Sequence, residues 1–269
     1  LSAIIQTGKA RIYTNTHATE FNGGTNAYIG TENGFRVHCD HIVVATCSPV
    51  NDHIVLVAKM EPYRTYAAAY RVPKGSVPQA LYWDTAEPYH YVRLTPDETD
   101  PDNFDILITG GEDHAVGRAH DYEERFQRLD QWTRQYFPEM ELNALYKWSG
   151  QVYEPVDMLP YIGRNPHDKD NVYVVTGDSG TGMTNWTIAG TLIPDLIEGK
   201  HNEFAAIYDP SRKPTSSKFE FLKNLAESNM QYRDWVDAGD IKDIEDLEPN
   251  CGAVMREGLS KVAVFRDEK

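Results

Sequence analysis

A glycine-rich turn, Gly177-Asp178-Ser179-Gly180-Thr181-Gly182, carries the clearest chemical signal in the sequence. Three glycines within six residues let a ligand approach the backbone closely. The apolar residues after the turn recur at helical spacing, and the first N–H groups of a helix have no partner within it. These N–H groups and the positive end of the helix dipole would stabilise an anionic or electron-rich oxygen. The turn therefore predicts a binding site for such an oxygen.

Four known motifs resemble this turn, and each lacks a required residue. Residues 177–184 match a phosphate loop except that Met183 replaces the lysine that reaches the outer phosphates. Ser179 lies in a sequence like that of the serine of trypsin-like proteases, but that chemistry needs a positioned histidine and a buried acid. Thr181 and Asn185 stand where a nucleophile elbow and a dinucleotide fingerprint require glycine. A further alternative is a turn that only packs a helix on a sheet.

The composition excludes several classes of partner. The 269 residues include 41 acidic and 26 basic side chains, and the net charge of −15 would repel nucleic acid and anionic membrane surfaces. No apolar run approaches the length of a membrane span. The three cysteines form no CxxC pair, which argues against a metal site within the chain and favours a reducing, cytoplasmic location.

The elements that would position the turn predict a mixed α/β (α+β) fold. Residues 41–46, HIVVAT, form a continuous apolar run that is typical of a strand buried on both faces of a parallel sheet. Alternating segments predict short strands at residues 11–16, 27–31 and 35–39, and a tyrosine-rich set of strands over residues 54–111. Residues 120–137 predict one amphipathic helix that Pro138 ends.

The second half of the chain predicts the strand, turn and helix unit that contains the glycines. Residues 142–153 and 171–176 are predicted strands, and residues 154–163 a predicted loop between them. The helix after the turn extends to about Gly199, with Pro194 expected to kink it. Helical pieces at residues 203–208 and 216–229 and a strand at residues 261–266 complete the prediction.

Four motifs in this order resemble the C-terminal half of FAD-dependent oxidoreductases of the D-amino-acid oxidase and glycine oxidase type. They are HIVVATCSPV, YHYVRLTPDETDPDNFDILITGGEDHAVG, YEPVDMLPYIG and VYVVTGDSGTGMTNWTIAGTLIPDLIEG. In addition, LEPNCGAVMREGLSKVAVFRDEK is similar to the entry of a Rieske [2Fe–2S] domain, which is fused to the oxidase in some relatives.

The resemblance implies four segments. Residues 1–50 and 151–212 would be parts of a Rossmann-like FAD-binding domain, and residues 51–150 an antiparallel β substrate domain with one helix. Residues 213–269 would be a helical linker and the beginning of the Rieske domain. Leu1 follows no βαβ unit with a dinucleotide fingerprint, so we expect a truncated chain that alone binds FAD weakly or not at all. The [2Fe–2S] cluster is expected only in the missing C-terminal part, because Cys251 lies too early to be a ligand.

The resemblance also implies site residues. The pyrimidine edge of FAD would lie at the glycine turn, where N–H groups stabilise the negative charge of the reduced flavin. The implied cofactor-binding residues are Ala45, Thr46, Gly177, Asp178, Ser179, Gly180, Thr181, Gly182, Met183 and Thr184. The catalytic residues are unassigned, with Tyr91, Arg93 and Tyr153 as candidates.

The expected reaction is oxidation of a small amine or amino-acid-type substrate by hydride transfer to flavin, with a Rieske cluster as a further electron carrier. Amino-acid oxidases of this type often place a carboxylate-binding arginine where this chain has Val152 and Tyr153, and Arg93 and Arg64 are the available substitutes. The alternative hypothesis is a non-catalytic module, derived from such an enzyme, that binds a ligand or a partner.

Overall fold

The computed structural model describes residues 7–8, 10–51, 56, 59–117, 119, 121–138, 143–213, 241, 243–257 and 260–267. The chain forms two compact units, Leu1–Thr215 and Ser216–Lys269. The helix that was predicted at residues 216–229, and with it most of the predicted linker, lies outside the described residues.

In chain order, the described elements of the first unit are β1 (Ala18–Asn22), β2 (Tyr28–Thr31), β3 (Arg36–His38), β4 (Ile42–Cys47), β5 (Met60–Pro73), β6 (Tyr82–Trp83), β7 (His90–Pro96), β8 (Phe104–Ala115), α1 (Tyr122–Tyr136), β9 (Ala144–Pro155), β10 (Tyr161–Arg164), β11 (Val172–Thr176), α2 (Gly182–Ile197) and α3 (Ala205–Tyr208). The fold is therefore mixed α/β with antiparallel sheets, as predicted.

A three-stranded sheet of order β10-β11-β4 carries the glycine turn. Strand β11 is buried along its whole length and pairs in parallel with β4 and antiparallel with β10. Helix α2 covers this sheet through Ala189, Leu192 and Ile193, which pack on Ile162 and Tyr173. The β-branched and aromatic sequence of β11 suits this position, because both of its faces contact other residues.

A five-stranded antiparallel sheet of order β6-β7-β8-β5-β9 forms the other large part of the first unit. Helix α1 packs on one of its faces, where Leu129 contacts a buried cluster that includes Tyr66, Tyr70 and Leu107. Because side chains alternate along a strand, the neighbouring residues of these strands project from the opposite face. The two faces are called the α1 face and the second face below; Ala67, Tyr91 and Ile108 lie on the second face by their register.

Ion pairs and hydrogen bonds also connect α1 to the α1 face. Arg125 and Arg128 contact the Asp121 carboxylate at 2.9 and 3.0 Å, and Arg128 also donates to Glu112 at 2.7 Å. Tyr70 donates a hydrogen bond to Asp130 at 2.9 Å. The acidic groups named here therefore have donors on or beside α1.

Three sequence-based predictions of local structure were wrong. Residues 11–16 contain no strand, and the first strand is instead Ala18–Asn22, whose pairing with β2 fixes its position. Strand β4 is not buried on both faces, because it is the outermost strand of its sheet and leaves Val43 44% exposed. The last three residues of the predicted loop belong to strand β10 (Tyr161–Arg164), since their backbone pairs with β11. These outcomes depend on partners far away in sequence, which local patterns do not report.

The second unit contains a hairpin of β12 (Cys251–Glu257) and β13 (Ser260–Arg266). The strand predicted at residues 261–266 therefore exists, and it pairs with the preceding strand. Arg266 donates to the backbone oxygen of Leu247 at 2.8 Å and so connects the hairpin to the turn before it.

Candidate functional site

The glycine turn lies where two parallel strands end. Thr176, the last residue of β11, pairs with Cys47, the last residue of β4, and its hydroxyl donates to the backbone oxygen of Cys47. The carboxyl ends of parallel strands are the common position for ligand sites in α/β sheets. The two segments predicted to bind a cofactor, residues 45–46 and 177–184, are thus brought to one edge of one sheet.

Hydrogen bonds and left-handed residues define the path of the turn. Gly177, Ser179 and Gly180 have φ values of 73°, 47° and 75°. The Ser179 N–H donates to the backbone oxygen of Tyr153 at 3.1 Å, which fixes the turn against the end of β9. The backbone N–H and the hydroxyl of Thr181 both donate to the backbone oxygen of Asp178, at 2.8 and 2.7 Å. The hydrogen bonds of the protein itself therefore hold the turn in place.

The N-terminus of α2 offers free donors. The backbone N–H groups of Gly180, Gly182 and Met183 donate to no other residue in the described part of the chain. Gly180 is exposed, and the Met183 side chain is 87% exposed, so this end of the helix is accessible. Converging N–H groups at a helix N-terminus fit the electron-rich pyrimidine edge of a flavin.

The three glycines of the turn serve different purposes. A Cβ on Gly177 would lie 2.7 Å from Pro155 and 3.1 Å from the sulfur of Met60, so this glycine allows internal packing. A Cβ on Gly182 would lie 2.6 Å from the Asp178 carboxylate, whereas a Cβ on Gly180 would meet nothing within 4 Å. The expectation that all three glycines admit a ligand is therefore wrong for Gly177, whose missing Cβ leaves room for protein atoms.

Asp178 and Cys47 are half-buried neighbours at this edge. Burial raises the pKa of the Asp178 carboxyl. Burial, together with the nearby Asp178 charge, also raises the pKa of the Cys47 thiol, whose sulfur lies 3.6 Å from the backbone oxygen of Gln151. The sequence prediction did not include Cys47, although it directly follows the two predicted residues Ala45 and Thr46. Both of those residues are exposed, and the Thr46 hydroxyl donates to the backbone oxygen of Ser48.

Tyr153 connects the turn to the large sheet. Its side chain is buried with Leu56, Met60, Tyr161 and Val174, and its hydroxyl accepts a hydrogen bond from the Gln151 amide at 2.9 Å. Together with the backbone contact to Ser179, this packing makes Tyr153 a residue that positions the turn. Its role as a candidate catalytic residue stays a prediction.

Tyr91 and Arg93 lie together on the second face, on β7. The Tyr91 ring crosses Gly110 so closely that a Cβ there would fall 2.1 Å from it, and Arg93 is exposed. Strands β8 and β5 separate β7 from β9, which at normal strand spacing is about 14 Å. The structure therefore does not place these two residues beside Tyr153, although all three lie on the same sheet.

The second face also holds a group of polar residues that the sequence prediction missed, centred on Asp113. Gly111 and Glu112 have φ values of 146° and 58°, which marks a bulge in β8 where the pairing with β5 shifts. Glu112 faces Arg128 of α1, and the next residue, Asp113, lies beside the hydroxyls of Thr65 and Tyr89. The Gly110-Gly111 pair in the predicted strand was the available signal, because glycines within a strand often mark a bulge.

Burial of the acids of this group is only partly offset by their neighbours. Burial raises the pKa of Asp113 more than the Thr65 and Tyr89 hydroxyls and the His114 and His90 rings lower it. Burial and the nearby Asp113 charge raise the pKa of Glu154. The pKa of Tyr89 is raised to about 12, first by burial and then by Asp113. These shifts indicate carboxylates that are partly removed from water and close to one another.

Neither a metal cluster nor a membrane-spanning helix is present among the described residues. They contain no group of three or more His, Cys, Asp or Glu side chains that could hold a metal ion. No helix among them is long and apolar enough to cross a membrane.

The fold is shared with solved structures of an oxidase and a dehydrogenase. Glycine oxidase from Geobacillus kaustophilus superposes with a TM-score of 0.60 at 19% identity, over 77% of this chain and 55% of the enzyme. L-proline dehydrogenase from P. horikoshii superposes with a TM-score of 0.61 at 21% identity, over 78% of this chain and 57% of the enzyme. The described architecture is therefore that of one part of this class of oxidase and dehydrogenase.

The sequence family agrees with the fold. The model of the FAD dependent oxidoreductase family matches residues 1–196, and the chain belongs to this family. A Bacillus subtilis (strain 168) protein, YhfW, whose name describes it provisionally as a Rieske 2Fe-2S iron-sulfur protein, is 26% identical over 278 residues. That alignment includes 100% of this chain and 52% of YhfW, so the chain spans about half the length of this relative.

Proposed function

We propose that the protein containing this chain is an FAD-dependent oxidoreductase that oxidises a small amine or amino-acid-type substrate. The observation that carries the proposal is the accessible N-terminus of α2, whose free N–H groups at Gly180, Gly182 and Met183 lie at the edge where β4 and β11 end. Family membership supports the choice of FAD over other electron-rich ligands.

The residues of this chain would bind one edge of the cofactor. The N–H groups and the dipole of α2 would hold the pyrimidine edge and favour the negative charge that develops there on reduction. When bound, FAD supplies the hydride acceptor. Tyr153 keeps the turn in place through its backbone oxygen. The pyrophosphate and adenosine of FAD need other contacts, so we expect the 269 residues alone to hold FAD weakly.

Two finer parts of the proposal concern electron transfer and the setting of the reaction. YhfW supports a Rieske cluster as the next electron carrier, located in a part of the protein other than these 269 residues. The cysteine content supports a cytoplasmic location, and the likeness to an oxidase and a dehydrogenase supports a small-molecule substrate. The rival function is a non-catalytic module that binds a ligand or partner. Flavin absorption bands in the purified full-length protein, with a further Rieske shoulder, would reject that rival.

A matched pair of variants tests the cofactor site. Gly182→Val would place side-chain atoms against Asp178 and the free N–H groups, whereas Gly190→Val makes the same substitution on α2 where nothing lies within 4 Å of a Cβ. In the full-length protein we expect Gly182→Val to weaken flavin retention at least about tenfold, the effect of about 1.4 kcal/mol. Gly190→Val should retain flavin normally.

The readout is the ratio of flavin absorbance to protein absorbance after gel filtration, with circular dichroism as a check on folding. Normal flavin content in a folded Gly182→Val protein would reject the placement of the flavin at the α2 N-terminus.

A further inference from the structure

We propose that the second face of the large sheet binds the substrate as a cation, through Asp113 and Glu154, without requiring a substrate carboxylate. The inference rests on the proposed function and adds the chemical class of the substrate. It begins from two buried polar atoms, the Oδ1 atom of Asp113 and the hydroxyl oxygen of Thr65.

Each of these two atoms has under 1 Å² of accessible surface and forms no hydrogen bond of normal geometry among the described residues, although the Thr65 and Tyr89 hydroxyls lie close enough to Asp113 to lower its pKa in part. They come from neighbouring strands, since the bulge in β8 brings Asp113 beside Thr65 of β5. An orphaned buried polar atom costs free energy, and a ligand that donates hydrogen bonds would remove this cost. A carboxylate oxygen can only accept, so that ligand must be a donor.

The charges around Asp113 favour a cationic donor. Burial raises the pKa of Glu154, and the nearby charge of Asp113 raises it further. Glu61, which is opposite Glu154 in the sheet, adds to this effect. An ammonium group placed between Asp113 and Glu154 would offset both the burial of the two charges and their mutual repulsion.

Aromatic rings adjoin the carboxylates. The centroids of Tyr89 and Tyr91 are 6.4 Å apart, and Trp83 lies 6.4 and 6.3 Å from them. Asp113 influences the pKa of both tyrosines, which shows that the rings and the carboxylate share one locality. Faces of electron-rich rings attract cations, and their apolar surface suits the carbon substituents of an amine.

Arg93 offers a competing assignment. It lies on the second face, where its charge partly offsets the burial that raises the pKa of Tyr91, so it could hold the carboxylate of an amino acid. However, the pKa values of Asp113 and Glu154 are raised, which is not the result expected of carboxylates neutralised by an arginine. Arg93 therefore does not neutralise Asp113 or Glu154, which leaves these two carboxylates as the anchor for a substrate cation, with or without a second anchor at Arg93.

Equilibrium binding tests the inference without turnover. tert-Butylammonium is a cation that donates hydrogen bonds but has no α-hydrogen and so cannot be oxidised to an imine, and calorimetry on the flavin-loaded full-length protein should detect its binding. We expect Asp113→Asn to weaken this binding about 10- to 100-fold and Glu154→Gln by a smaller factor. Asp102→Asn, an exposed carboxylate in the turn after β7, is the control and should bind normally. Equal binding to wild type and Asp113→Asn would overturn the inference.

Anaerobic flavin reduction then separates this inference from the proposed function. n-Butylamine and norvaline, as both enantiomers, differ only by the carboxylate. Reduction by n-butylamine at a rate comparable to or above that of norvaline, lost in Asp113→Asn, supports the inference. Reduction by norvaline alone, lost in Arg93→Gln and kept in Asp113→Asn, overturns the inference and retains the proposed function. A protein without flavin would reject the proposed function.

Discussion

The acidic residues on the two faces of the five-stranded sheet have pKa values that are shifted in opposite directions. On the α1 face, Asp121 contacts two arginines, and Glu112 contacts one of them. The hydrogen bonds from Arg125 and Arg128 lower the pKa of Asp121 to about 2. On the second face, burial raises the pKa values of Asp113 and Glu154. One β-bulge produces this contrast, because it sends consecutive residues, Glu112 and Asp113, towards different surroundings.

The difference separates acidic residues that stabilise the fold from acidic residues that do not. An acid with arginine donors stabilises the fold, whereas a buried acid beside another acid costs free energy. Proteins keep such destabilising groups chiefly where they bind or react. We therefore infer that the charges of the α1 face stabilise the fold and that those of the second face bind a ligand. Substitutions on either face can test this difference.

The largest change in the free energy of unfolding is expected from truncating apolar residues of the two faces. Leu107 and Ile108 are neighbours on β8, but Leu107 is fully buried under α1 and Ile108 is half-buried on the second face. Leu107→Ala should lower the free energy of unfolding by about 2–5 kcal/mol, as typical for a core leucine. Ile108→Ala should cost clearly less, because less of its surface is removed from water. Urea unfolding followed by tryptophan fluorescence measures both, and equal losses would remove the distinction between the faces.

Substituting the acidic residues should change the stability by a smaller amount, with opposite signs for the two faces. Asp121→Asn should lower the stability at pH 7, because it weakens an ion pair that lowers the pKa. Asp113→Asn should leave the stability unchanged or raise it, because it removes a buried charge. The two variants keep the same side-chain shape, so the sign of each change reports the charge alone.

The pH dependence follows from the two pKa shifts. The stabilising charge of Asp121 is present above its ordinary pKa of 3.8 and is lost as the pH falls towards about 2. The raised pKa of Asp113 means that its cost is present above the folded pKa and disappears below 3.8, where both states are protonated. Both variants should therefore converge on wild type in acid, from opposite sides. Denaturant unfolding at pH 7, 5, 3.5 and 2 tests this, with the Asp121→Asn difference lost only at the lowest pH, and a loss of stability in Asp113→Asn at pH 7 would contradict it.

Local features of the sequence were sufficient to predict the glycine turn and the elements that flank it. Gly177 and Gly180 adopt left-handed conformations, α2 begins at Gly182, and Gly199 follows its end with a φ of 69°. These outcomes depend on residues that are adjacent in the chain, so pattern and turn chemistry predict them. Pro194 was expected to kink the helix, and α2 continues through it to Ile197.

The group around Asp113 was not predictable in the same way. Thr65, Asp113 and Glu154 belong to three strands that are far apart in sequence, and a bulge decides which face Asp113 occupies. Tyr91 and Arg93 were selected from the family resemblance, and their roles stay predictions. The assignment of the four sequence segments to domains likewise stays a prediction.

The central claim is that the second face holds a carboxylate, Asp113, to which a cationic ligand binds. Measuring the pKa of Asp113 tests this claim most directly. Carbon-13 NMR of the full-length protein labelled at the aspartate carboxyl carbons, with Asp113→Asn to assign the signal, gives this pKa with and without tert-butylammonium. We expect a pKa above 3.8 in the free protein and a lower value when the cation is bound. A free-protein pKa at or below 3.8, or one that the cation does not change, would contradict it.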